Sequence, residues 1–174
     1  MPAKSHSKSL KDLFVHALKD IYYAENAILK ALPKVIEHAK HAELKQALSG
    51  HLEETKGHIE RLESVFGELD LKPAAVRCEA IEGILKESDE VIGDFAGGPA
   101  GDAAIVFACQ AVEHYEINRY GTMHEWATEL GMTAAAKLLK KTLDEEHKAD
   151  QKLTKLAETG ENREGIVHKA AKAA

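Results

Sequence analysis

Glu25 stands in the middle of an apolar stripe, four residues after Ile21 and three before Ile28. That spacing puts all three on one face of a helix. An ionised carboxylate on a buried face costs several kcal/mol unless something offsets it. Glu113 and Glu116 repeat the problem, sharing a stripe with Val106, Cys109, Ile117, Tyr120 and Met123. Two acids one turn apart on such a face repel and raise each other's pKa. A cation between them resolves the conflict. Elsewhere His51 and Glu54 are one turn apart, with His58 one turn further along the same side, and the string DEEHKAD offers Asp144, Glu145, Glu146, His147 and Asp150. Carboxylate oxygens with one or two imidazoles suit iron or manganese. Carboxylates from opposite helices can bridge two ions, so the expected cofactor is a pair of metal ions, with iron placed ahead of manganese.

Long helices must position these residues. Leu10, Phe14, Ala17, Leu18, Ile21, Ile28, Leu29, Leu32 and Ile36 recur at three- and four-residue steps, predicting a helix over 10–39 that Pro33 is expected to bend. Leu44, Leu48, Leu52, Ile59, Leu62 and Phe66 predict another over 43–68. A shorter amphipathic piece is expected over 75–95, stopped by AGGPAGD at 96–102. Asp102 is a candidate cap for the next helix, running to about Leu130. Gly131 ends that one, and Thr133 is a candidate cap for the last, 133–158. The bundle is assigned to 9–158, with loose tails at 1–8 and 160–174.

A shift of 91 residues superimposes one half of this pattern on the other. Phe14 falls on Ile105, Leu18 on Cys109, Leu48 on Leu139, Leu52 on Leu143 and Leu62 on Leu153. The same shift places the first hairpin's turn near 40–42. The chain therefore reads as all-α, two helical hairpins joined by a long connection at 70–100 that carries an extra helix. The shift also pairs acids: Glu25 with Glu116, and Glu54 with Glu145, the partners within each hairpin being 29 residues apart. The choice between Glu145 and Glu146 stays open. The repeat favours Glu145, whereas the stripe of Leu139, Leu143 and Leu153 favours Glu146. The match of His51 is Thr142, so the hairpins differ there. His58 reads as a surface or supporting histidine, and His16, His38, His41 and His124 as surface residues. Tyr22, one turn before Glu25, is expected beside the metals.

The rest of the composition narrows the class. Aromatics are only 5% of the 174 residues, which suits a helical protein, and the net charge of −6 argues against a nucleic-acid-coating body. No stretch approaches the ~20 apolar residues of a membrane span. The first ten residues lack the apolar centre of a secretory signal. Cys78 and Cys109 form no CxxC pair, and the expectation is reduced thiols in the cytoplasm.

The strings LKDIYYAENAILKALPK, HLEETKGHIERLE, VEHYEINRYGT and LLKKTLDEEHKAD resemble the YciF-like branch of the ferritin-like superfamily over about residues 9–158. The resemblance implies a ferritin-like four-helix bundle, a bacterial origin, a link to stress and a homodimer. The wider superfamily places a glutamate on the first and third helices and Glu-x-x-His on the second and fourth. Glu25 fits the first position, and EHYE resembles the paired glutamates of rubrerythrin-like third helices. Glu54 fits the second, but Gly57 stands where a histidine is expected. Lys148 and Ala149 stand where the fourth helix should carry one. His51 is the natural substitute on one side, and the fourth helix offers carboxylate. The candidate ligands are thus Glu25, His51, Glu54, Glu113, Glu116 and Glu145 or Glu146, with His58 and Asp150 undecided. The expected function is a dinuclear metal-binding stress protein acting on a small oxidant, peroxide or oxygen. The alternative is a structural stress protein whose metal only stabilises the bundle.

Overall fold

The computed structural model describes residues 7–158 and 165–173. Those parts of the expected tails at 1–6, 160–164 and 174 lie outside the described residues. Six helices are present among them, and no strand: α1 (Leu10–His38), α2 (Ala42–Glu68), α3 (Glu79–Phe95), α4 (Gly101–Glu129), α5 (Thr133–Ala157) and α6 (Ile166–Lys172).

Local chemistry explains where they start and stop. Ser9 opens α1 with a capping box: its hydroxyl accepts from the Asp12 amide, and the Asp12 carboxylate accepts from the Ser9 amide. The helix then continues past Pro33 to His38. Gly131 supplies the left-handed turn (φ 71°) that ends α4. Three expectations need correction. The third helix starts at Glu79, not 75, because the preceding segment is extended and the Val76 amide donates to the Lys19 carbonyl of α1 (3.1 Å). Thr133 is the first residue of α5 and makes no side-chain cap. Asp102 does not cap its own helix. Its two oxygens accept from the Lys40 and His41 amides, at 2.8 and 3.0 Å. It therefore clasps the α1–α2 turn, whose helix lacks a side-chain cap of its own.

Around the bundle α1 neighbours α2 and α4, and α5 neighbours α2 and α4, with α3 laid over α1 and α4. One apolar cluster joins Phe14, Leu18, Leu62, Phe66, Met123 and Leu139. A second joins Leu44, Leu48, Ile105, Cys109, Leu153 and Ile166 at the other end. Ile166, at the start of α6, is buried, so part of the expected loose tail is a docked helix. Both cysteines are free and buried. The acids of the central turns lie between the two clusters.

Candidate metal centre

Each bundle helix brings buried polar side chains to the same level. α1 carries Glu25, α2 carries His51 and His58, α4 carries Glu113 and Glu116, and α5 carries Glu146; all are buried. The helical period puts each of them on its own core-facing stripe: His51, Thr55, His58 and Leu62 form one buried line along α2. Their ligand atoms make two overlapping groups, each within 4.8 Å: Glu25, His58, Glu116, Glu146; and His51, Glu113, Glu116, Glu146. Glu116 and Glu146 belong to both.

Most of these atoms lack a hydrogen-bond partner. Both oxygens of Glu116 and of Glu146, one oxygen each of Glu25 and Glu113, both nitrogens of His51 and the Nδ1 of His58 are buried without one. His58 Nδ1 lies 2.8 Å from Glu146 Oε1 and 3.3 Å from Glu25 Oε1, but neither contact has hydrogen-bond geometry. Native interiors rarely leave buried polar groups unpaired, and a cation at these convergence points would satisfy them together. The donor set fits a hard or borderline metal.

The outer contacts fix the imidazoles. His58 Nε2 meets Glu145 Oε2 at 3.2 Å, and Arg61 donates to the same oxygen and to Thr142 Oγ1 (2.9 Å). That leaves His58 Nδ1 facing the centre. Glu54 Oε2 stands 3.7 Å from His51 Nδ1, while His51 Nε2 lies 3.5 Å from Glu113 Oε1. A carboxylate behind a histidine sets its tautomer and orientation. The buried Tyr120 hydroxyl donates to Glu25.

Electrostatics are extreme here. Burial pushes Glu113 well above the usual carboxylate range, Glu146 adding to the push and His51 opposing it. Burial, then the charges of Glu146, Glu25 and Glu113, push Glu116 the same way. Burial works against charging the imidazoles, but their acidic neighbours prevail. Glu54 and Glu113 hold His51 at about 9, and Glu146 and Glu25 hold His58 at about 10. Burial works against the Glu146 carboxylate too, but His58 and His51 hold it below the usual carboxylate range.

The expected ligands divide accordingly. Glu25, His51, Glu113, Glu116 and Glu146 converge. Glu146, not Glu145, faces inward; Glu145 instead holds His58 from behind. Glu54 is half exposed and backs His51 rather than joining the cluster. Asp150 is drawn off by His114 and Gln110. Tyr22 donates to Glu63 at the surface, so Tyr120 takes the place expected for it. His58, expected at the periphery, is central. The available signal was its seven-residue step from His51, which returns it to the same face after two turns, and Arg61 three residues on.

An antiparallel four-helix bundle with a helical crossover and a carboxylate–histidine core is a ferritin-like bundle. Comparison with known proteins narrows this further. The family model described as a domain of unknown function (DUF892) matches residues 9–166, and the chain belongs to that family. Protein YciF of Escherichia coli K12 is 46% identical over 151 residues, spanning 86% of this chain and 91% of that protein. The crystal structure of the E. coli stress protein YciF superimposes with a TM-score of 0.84, over 95% of this chain and 99% of that one, at 41% identity. YcfI from Rhodopseudomonas palustris superimposes with a TM-score of 0.85, at 50% identity over 89% and 99%. A Xanthomonas campestris protein shares the fold alone, at 19% identity and a TM-score of 0.70. Among the described residues, no helix is long and apolar enough to cross a membrane.

Proposed function

We propose that the chain binds two metal ions, iron in preference to manganese, and uses them in a stress response to process peroxide or dioxygen. Glu116 and Glu146 would serve both ions, Glu25 and His58 one of them, and Glu113 and His51 the other. The observation that carries this reading is the pair of overlapping buried quartets, most of whose inward atoms have no partner. Four carboxylates balance two divalent charges, which makes the pair tolerable in a low-dielectric core. A redox metal pair supplies electron exchange with a small oxidant. The chain's own work is positional. Tyr120 restrains Glu25, Glu145 and Arg61 restrain His58, Glu54 steers His51, and the apolar clusters pack the bundle on either side of the centre. The stress assignment follows the E. coli relative, which is described as a stress protein.

The test is metal analysis of the purified chain together with the absorbance change when the ferrous protein meets peroxide or oxygen. Two metals per chain with rapid oxidation is the expected result. Failure to take up metal on reconstitution would sink the proposal. One observation favours a second reading: Glu25, His58, Glu116 and Glu146 are all wholly buried. A metal held there acts first as a clamp across all four helices. Uptake of two metals with a large gain in thermal stability but no oxidation chemistry would select that reading.

A further inference from the structure

Building on the dinuclear reading, we propose that a small anion reaches the His51–Glu113 half of the centre through a lysine-rimmed cleft between α2 and α5. The cleft holds about 220 Å³. Its floor is His51 and Glu113, both buried, and its rim is Lys148, Lys152 and Glu54, all exposed. Lys148 and Lys152 are one turn apart on α5 and present two cations, of which Glu54 offsets one. Such a rim concentrates small anions, and the low-dielectric walls focus its field.

The walls are open because of two small residues, Gly50 and Ala149. A glycine inside a helix weakens it relative to alanine. Packing does not require one here, since a Cβ added to Gly50 would meet nothing within 4 Å. What the missing side chain leaves free is the mouth of the cleft. At the bottom, His51 Nε2 and Glu113 Oε2 are unpartnered. Each half of the centre offers four protein donors, fewer than the six of an octahedral ion. An incoming anion can take a remaining position.

The two halves differ in access. Glu25 and His58 are wholly buried, with Glu145 and Arg61 covering the outer nitrogen of His58. A second cavity touches His51 and Glu113 from the α3 side, but it is small, about 40 Å³, and walled by residues such as Leu48, Cys109 and Val112. It offers an anion no counter-charge. The lysine cleft does.

The experiment uses the full iron-loaded chain, with azide as the probe and its absorbance titration as the readout. Metal content is measured first for every variant. The wild type is expected to bind azide, more weakly as salt is raised. The double variant Lys148→Glu/Lys152→Glu is expected to lose about tenfold or more in azide affinity. Gly50→Phe, whose Cβ has open space and whose ring would occupy the mouth, is expected to lose as much. Both should retain two metals per chain. Unchanged azide affinity in both variants at full metal content would overturn the cleft as the route and leave the dinuclear centre standing. A wild type that takes up no metal overturns both proposals, and the metal analysis identifies that case before azide is added.

Discussion

Replacing Glu116 by glutamine separates a metal centre from an ordinary buried ion network, because the two predict opposite signs. Glu116 is wholly buried, neither of its oxygens has a hydrogen-bond partner, and burial plus three carboxylates raise its pKa. The amide is nearly isosteric, forfeits no hydrogen bond and carries no charge. Each pKa unit relieved is worth about 1.4 kcal/mol, or roughly 3–6 °C in Tm for a chain of this size. The sign with pH follows from linkage. The folded pKa lies above the unfolded one, so the wild type holds a proton that the unfolded chain releases. Its stability therefore declines as pH rises from the unfolded value through the folded one. The metal-free Glu116→Gln protein should be more stable than the metal-free wild type, and the gap should widen from pH 5 to pH 8. With metal the order reverses. Two ions at a hundred times their Kd add about 2.7 kcal/mol each, or roughly 10–20 °C together. Glu116→Gln removes a donor common to both quartets and should lose nearly all of that gain. Calorimetry or thermal melts with and without ferrous iron or manganese give all four values. A metal-free variant less stable than the wild type, or one keeping the full metal-induced rise, would refute the reasoning.

Further outcomes follow from the surrounding contacts. Glu145→Ala leaves both quartets intact but releases His58, so metal stoichiometry should hold while affinity falls about 10–100-fold, read by competition with a chelator. Metal binding must displace the protons held by His51, His58, Glu113 and Glu116. Titration calorimetry in two buffers of different ionisation enthalpy should therefore show proton release, and affinity should drop as the pH is lowered. Asp102→Ala unpairs the Lys40 and His41 amides and should cost about 1–3 kcal/mol in denaturant unfolding, with metal stoichiometry unchanged.

The helices were legible because their apolar stripes are long and regular, and the inward glutamates because Glu25, Glu113 and Glu116 interrupt those stripes. The 91-residue shift located the hairpin turn and paired the acids. It misled at Glu145, because a repeat registers backbone depth whereas burial depends on which side of the helix faces its neighbours. The buried line of α5, through Leu139, Thr142, Glu146 and Leu153, decides for Glu146. His58 was hidden for a related reason. A histidine beside Arg61 and among Glu54, Glu60 and Glu63 reads as part of a solvated face. Only partners on another helix, Glu145 and Thr142, turn Arg61 inward beside His58. The start of α3 and the role of Asp102 also depend on contacts distant in sequence, with Lys19 in one case and with Lys40 and His41 in the other.

The departures from the repeat are where function would reside. Under the 91-residue shift, His51 falls on Thr142, His58 on Ala149, Glu146 on Thr55 and Glu113 on Tyr22. Both imidazoles thus come from the first hairpin, and three of the four inward carboxylates come from the second. Thr142 takes a hydrogen bond from Arg61, which in turn steadies Glu145 and His58. Ala149, small where the matching position of the first hairpin carries His58, lines the cleft over His51. A symmetric pair of hairpins would place a histidine at both positions and bury both halves of the centre alike. The asymmetric one encloses the Glu25–His58 half and leaves the His51–Glu113 half beside an opening, which any reaction with an external molecule requires.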